Sequence, residues 1–254
     1  MRSRILRILQ LFDRQHVWTV EAIAREMGVS VSSAYRDVQE LSRAGFLDPV
    51  AGAGYVLGPA FIQYDRLIRA SDPLIRVSAP IMQRLLGRTT QKGTAILCRR
   101  YHDCVMCVHQ ERGSESQALS FYERGVAMPL FIGAASKVIL AHLDERVLKR
   151  SYNENREQIR KATGCADLKS FRAELRTIRR EGNAVTTSEL GPGRVGFAAP
   201  IFLDGAVVAG LSLGGFHRAR LSEPVRKAYA AEVMRAATQI SSAISRQKTW
   251  VARG

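Results

Sequence analysis

Residues 19–57, TVEAIAREMGVSVSSAYRDVQELSRAGFLDPVAGAGYVL, constrain the fold more tightly than any other part of this chain. Thr19 stands where a side-chain oxygen can cap the first amides of a helix, and the spacing predicts that helix over Val20 to Met27. Gly28 follows at the point where the chain must turn left-handed, a conformation glycine adopts without steric cost. Ser30 is the next N-cap, and Val31 to Ala44 carries Ala34, Val38 and Leu41 at helical period before Gly45 ends the run. Counted from Val20, the small residues Ala24, Gly28 and Ala34 fall at the fifth, ninth and fifteenth places. Those are the places where two helices joined by a tight turn approach most closely and larger side chains would clash. Phe46-Leu47 and Tyr55-Val56-Leu57 read as strands joined by Asp48 to Gly54, a loop with turn chemistry. Two short helices followed by a hairpin form a winged helix-turn-helix, a module that reads duplex DNA. The alternative, a helical hairpin of an ordinary core, leaves the wing unexplained.

Around this segment the pattern extends to a whole domain and then changes character. Ile5, Leu6, Ile8, Leu9 and Phe12 give a preceding helix over Ser3 to Phe12. Gly58-Pro59 marks a break, and Ala60 to Ala70 is an amphipathic helix with Phe61, Ile62, Tyr64, Leu67 and Ile68 on its apolar face. Ser71-Asp72-Pro73 caps the next helix, from about Leu74 to Leu86. We therefore expect a winged module over 1–58, a linker helix over 59–72 and a second domain over 73–254. In that second domain Thr94 to Cys98, Cys104 to His109, Val195 to Leu203 and Ala206 to Leu213 read as strands, the last two joined by Asp204-Gly205. Gly133 to Leu143, Asp144 to Tyr152, Leu168 to Glu181 and a final helix capped by Ser222 and running to about Gln247 complete it. This order predicts an α+β domain, an antiparallel sheet with helices on its faces.

Length and charge limit the possibilities further. At 254 residues and 46% hydrophobic the chain can bury two cores. Its longest apolar stretches are cut by Asp204 or by Ser136-Lys137, well short of the about 18 residues a membrane span needs. Arg2, Arg4, Arg7 and Asp13 leave no apolar core for a signal peptide, so a cytoplasmic protein without a membrane partner is expected. The net charge is +15, yet residues 1–64 hold seven arginines against six acidic residues. The basic excess therefore lies in the second domain and reads as an arginine-rich soluble surface rather than a further DNA site. Cys104-Val-Met-Cys107 invites a metal reading, but residues three apart on a strand point to opposite faces. The four cysteines are read as reduced thiols packing as small apolar groups, with no metal and no cofactor expected.

The polar side chains of the second helix carry the chemistry of recognition. With Ala34 and Val38 committed to the core, Ser32, Ser33, Tyr35 and Arg36 project from its N-terminal half toward base edges. Arg36 suits a bidentate guanine contact or a phosphate clamp. Thr19, Arg25 and Ser30 suit phosphates, through hydroxyl, guanidinium and helix N-terminal amides. Nothing points to an enzyme: Ser136 and Lys137 diverge by about 100° on a helix, and the histidines have no carboxylate at a catalytic spacing.

Three blocks in order resemble the IclR family of bacterial transcriptional regulators over nearly the whole chain. The first is the winged module with Gly45-Phe46-Leu47 and Tyr55 to Gly58, the second GVAMPLFIGAASKVILA over 125–141, the third GFAAPIFLDGAVVAGLS over 196–212. The resemblance implies a GAF-like sensor as the C-terminal domain and a homodimer or homotetramer on a double-stranded DNA operator. A two-fold dimer would make that operator pseudo-palindromic. It also implies an effector pocket at Met128, Leu130, Ala134, Ala135, Thr186, Glu189, Arg194, Gly196, Ser212 and Gly214, for a small carboxylate or aromatic molecule that adjusts repression or activation. Amides at the helix entry Gly133–Ala135 would suit a carboxylate, and Arg194 would pair with one. Three positions depart from the family pattern: Ser136 where a glycine is usual, Gly214 where many members have a second serine, and Val31 where a basic residue is common. Losing the second hydroxyl suits a larger or more apolar effector. The alternative is a constitutive DNA-binding protein whose C-terminal domain only oligomerises.

Overall fold

In the computed structural model, which describes residues 3–90, 92–116 and 122–247, the N-terminal helices begin where their caps stand. After α1 (Arg4–Leu11), the Thr19 hydroxyl accepts from Ala22 N–H at 3.2 Å and starts α2 (Val20–Met27), which Gly28 closes at φ 66°. Ser30 accepts from Ser33 N–H at 3.3 Å and starts α3 (Val31–Arg43). Ile8, Ile23, Ala34 and Val38 are fully enclosed between these helices, and the Trp18 indole donates to Leu11 O at 3.1 Å. Arg4 forks onto the buried Asp37 carboxylate at 2.5 and 2.8 Å, tying α1 to the inner face of α3.

The wing is a hairpin of β1 (Leu47–Val50) and β2 (Gly54–Leu57). Its strands take in Asp48, Pro49, Val50 and Gly54, so the loop predicted over 48–54 shrinks to residues 51–53. Proline is tolerated because its partner Tyr55 spends both backbone groups on Trp18, at 2.8 and 3.0 Å, and asks for no N–H from Pro49. That same approach requires glycine at 54, where φ is 118° and a Cβ would lie 2.5 Å from Trp18 O. The wing's far end folds onto the end of α3: Gly58 N–H donates to Phe46 O at 2.8 Å and Ala60 N–H to Gly45 O at 3.0 Å. A Cβ at Gly58 would sit 2.3 Å from Gly45 O. From this clasp starts α4 (Ala60–Ser71), whose Phe61 and Tyr64 pack on Phe46 with ring centroids 5.5 and 5.8 Å apart. Ile62, Leu67 and Ile68 on α4 stay exposed, Ile62 by 75%.

Contacts divide the chain into Met1–Ser71 and Asp72–Gly254. The second unit opens with α5 (Pro73–Thr89), capped by Asp72, which also receives Arg99 at 2.5 Å. There follow β3 (Thr94–Tyr101), β4 (Cys104–Arg112), β5 (Ala127–Pro129), α6 (Ala134–Leu140), α7 (Glu145–Thr163), α8 (Leu168–Glu181), β6 (Ala184–Thr187), β7 (Arg194–Leu203), β8 (Ala206–His217) and α9 (Glu223–Ser245). Among the described residues the strands form one antiparallel sheet in the order β5-β4-β3-β8-β7-β6.

Alternation along the strands sends their side chains to two cores. Leu97, Phe197, Ile201, Leu211 and Leu213 meet α5 and α9 through Met82, Leu85, Val233 and Ile240. Ile96, Cys98, Val105, Cys107 and Ala198 face the other way, toward Val138, Ile159, Phe171 and Leu175. The expected α+β architecture is therefore observed. Several details differ from the sequence reading: β5 and β6 escape it, β3, β4 and β8 run on to Tyr101, Arg112 and His217, α6 stops at Leu140 rather than Leu143, and α7 runs eleven residues beyond Tyr152 across a kink at Asn155.

Candidate functional site

The first candidate surface is the leading half of α3. Ala34, Asp37, Val38 and Leu41 point inward, which leaves Ser32, Tyr35 and Arg36 on the outside and Ser33 half-exposed. Ser30 is exposed and serves the helix start as well, its hydroxyl lying 3.1 Å from Ser32 Oγ and 2.9 Å from Ser33 Oγ. Thr19 and Arg25 are exposed on α2. Arg36 has no hydrogen bond or ion pair among the described residues, whereas Arg4 and Arg14 of the same unit are paired with Asp37 and Glu26. A second anchor was not foreseen: Gln39 on α3 donates to the Tyr55 hydroxyl of the wing at 3.2 Å, fixing hairpin against helix. The wing carries no basic side chain between Leu47 and Leu57, so its approach to a phosphate would use backbone amides.

The second candidate lies under α6, on the sheet face that α6 to α8 cover. Thr186 and Gly196 are register partners on β6 and β7, and a Cβ at Gly196 would lie 3.5 Å from Thr186 Oγ1 and 3.6 Å from Ala134 Cβ. Ser212 is buried between Ala198 and Ile96, and Gly214 pairs with Thr94 further along β8. Leu130 and Ala135 are buried, and Met128 is half-buried on the edge strand β5 opposite Val105. Arg194 opens β7 opposite His217, half-buried. Ala134, Thr186, Gly196 and Glu189 thus converge on the entry to α6, while Met128, Arg194 and Gly214 sit at separate points of the sheet.

What fills that entry is the main surprise of the structure. The Gly133 amide, expected to await a ligand, donates to Glu189 Oε2 at 2.9 Å. The other Glu189 oxygen receives Lys137 Nζ, which also reaches Glu174 Oε1 at 2.5 Å. Lys137 is fully buried. Burial pushes the Glu189 carboxyl above its ordinary range, while Lys137 and the Gly133 amide pull it back. Beside this cluster the Tyr122 hydroxyl donates to Ile132 O at 2.9 Å and lies 3.0 Å from Ser136 Oγ. A Cβ at Gly133 would stand 2.3 Å from that hydroxyl, so the helix entry requires glycine. Sequence reasoning missed Lys137, Glu174 and Tyr122 as a group. The available signal was the polar pair Ser136-Lys137 inside the otherwise apolar run Ile132 to Ala141.

Comparison with known proteins agrees with this architecture. Residues 69–242 match the family model described as bacterial transcriptional regulator IclR C-terminal, and residues 4–56 match a helix-turn-helix domain model. The chain is 27% identical over 240 residues to the HTH-type transcriptional regulator KipR of Bacillus subtilis, covering 93% of this chain and 94% of that one. Among solved structures it is similar in fold to an IclR homologue of Microbacterium hydrocarbonoxydans complexed with 4-hydroxybenzoate, with a TM-score of 0.77 at 22% identity over 95% of this chain and 97% of that one. An IclR regulator of Alicyclobacillus acidocaldarius gives a TM-score of 0.76 at 22% identity, covering 94% and 96%.

Proposed function

The chain belongs to the IclR family of bacterial transcriptional regulators, and on that premise we propose that α3 reads a pseudo-palindromic operator while the α6 face of the second unit binds a small organic effector that sets the affinity. The family is one of regulators rather than enzymes, and the helix-turn-helix match identifies the DNA-binding domain. The observation that carries the reading is the division of α3 into an anchored inner face and an outer face bearing Ser32, Tyr35 and Arg36. Arg36 reads a guanine edge; Thr19, Arg25, Ser30 and Ser33 hold the flanking phosphates. Two copies associate through the exposed stripe Ile62, Leu67 and Ile68 on α4, spacing two recognition helices for successive major grooves.

For the effector, the support is the cluster of Ala134, Thr186, Gly196 and Glu189 around the α6 entry, together with the aromatic acid bound by the Microbacterium homologue. We infer an aromatic carboxylate. Its acid group would exchange with Glu189 on the Gly133 amide and Lys137, because those donors are already satisfied from within. Coupling between effector and DNA is of the order of 1–3 kcal/mol in such systems. Thermal-shift measurements with 4-hydroxybenzoate and related acids test the sensor, and fluorescence anisotropy on genomic fragments upstream of the gene tests the reader. Stabilisation by an acid that also shifts DNA affinity supports the reading. DNA binding with no response to any acid of the series would favour a constitutive DNA-binding protein whose second unit only oligomerises.

A further inference from the structure

Cys98 on β3 and Cys107 on β4 are direct cross-strand partners in the antiparallel register, beside the irregularity that falls between Leu97 and Cys98. Both are buried, and both point to the α6 face of the sheet, where they belong to one cluster with Val105, Tyr122 and Ala135. Directly opposed residues of an antiparallel pair have Cα atoms about 4.5–5.5 Å apart. That lies inside the roughly 4.4–6.8 Å span that a disulfide bridges. Cys104 and Cys165 are only half-buried and have no such partner across the sheet. Cys104 lies opposite Tyr101 at the hairpin turn, and Cys165 follows the end of α7.

We propose that Cys98 and Cys107 form a reversible intramolecular disulfide under hydroperoxide, making the α6 face of this regulator a thiol-oxidation site. The two thiols are electrostatically unequal. A hydrogen bond from Cys98 and the nearby Arg124 guanidinium favour the Cys107 thiolate, while burial holds the Cys98 thiol protonated. Cys107 therefore attacks first. Its sulfur takes one oxygen of hydrogen peroxide as the O–O bond breaks, giving a sulfenic acid, and the departing hydroxide takes a proton to become water. The Cys98 sulfur then attacks that sulfur, the S–O bond breaks, and hydroxide leaves with the Cys98 proton as a second water. Two thiols lose two electrons to one peroxide. Burial limits the oxidant to molecules about the size of water, which selects hydrogen peroxide over bulky disulfides. Cys98 also pairs across β8 with Gly210, against which the Ala135 carbonyl packs, so the bridge would form directly beneath α6.

The test uses the full chain, reduced and then exposed to hydrogen peroxide. Trypsin leaves Cys104 and Cys107 on one peptide, so a C104S/C165S variant is oxidised alongside the parent. The expected result is loss of two of the four thiols in the parent and of both in the variant. In the variant, residues 93–99 and 101–112 should appear as one linked peptide pair, two hydrogens lighter than the sum and separated again by dithiothreitol. A C98A/C104S/C165S variant, folded by its circular dichroism melt, should give no linked pair. Should that last variant fail to fold, the C104S/C165S peptide pair decides alone. Retention of all thiols, sulfinic acid at Cys107 without a bridge, or links confined to Cys104, Cys165 or a second chain would overturn the proposal.

Discussion

Replacing Lys137 by methionine probes the internal occupant of the α6 entry most directly. Methionine keeps the length and apolar stem of the lysine and removes only the ammonium. Glu189, whose side chain is 9% exposed, is then left with the Gly133 amide alone, and Glu174 loses its 2.5 Å partner. Removing one member of a buried ion pair costs about 3–5 kcal/mol, because the other charge stays desolvated. Glu174 is 32% exposed and can turn to water, so the loss should fall at the low end, about 3 kcal/mol. For a domain of this size that lowers the melting midpoint by roughly 6–12 °C.

The pH dependence follows from the sign of the Glu189 shift. A carboxyl raised by burial binds its proton more tightly folded than unfolded, so it favours the fold below the ordinary carboxylate range and loses that contribution as pH rises through the raised value. Lys137 restrains the rise, and without it the rise grows. The deficit of K137M against the parent should therefore be small near about pH 4 and widen toward neutrality. Urea melts of both proteins across this range measure it. A deficit under about 1 kcal/mol, or one independent of pH, would refute the account of Lys137 as counter-ion to a buried carboxylate.

Three other outcomes are expected. Arg36→Ala should weaken operator binding by about 1–3 kcal/mol in a gel-shift titration, and unchanged affinity would remove it from the interface. Gly54→Ala should destabilise the first unit by at least about 1 kcal/mol, since the new Cβ meets Trp18 O at 2.5 Å in a left-handed backbone. Ile62→Glu with Leu67→Glu should leave the fold intact, because both side chains are exposed, and, on the proposed association through α4, lower the sedimenting mass from two copies to one; an unchanged sedimentation profile would overturn association through α4.

What the sequence made legible was whatever is written locally. Thr19, Gly28 and Ser30 each act on the backbone within three residues, so α2 and α3 start and stop where those residues stand. Longer-range features were hidden for identifiable reasons. The span Asn153 to Thr163 is mostly polar and buries only Ile159 fully, so it offers no apolar stripe, yet it continues α7. β5 and β6 have three and four residues, too few to show alternation. Pro49 reads as a loop residue until Trp18, thirty-one positions earlier, takes over its partner's hydrogen bonds. The ion pair of Glu189 with Lys137 spans 52 residues of sequence, and no local pattern joins two such distant positions.

The clasp at Gly45 has a mechanical consequence. The end of α3, the wing and α4 meet at two successive carbonyls and one aromatic ring, with only Pro59 between Gly58 and Ala60. A tilt of α4 therefore pulls directly on the two hydrogen bonds and the ring contacts that join it to the end of α3. On the reading proposed above, whatever pulls on the last turn of α4 would be felt at the surface of the double helix through that clasp.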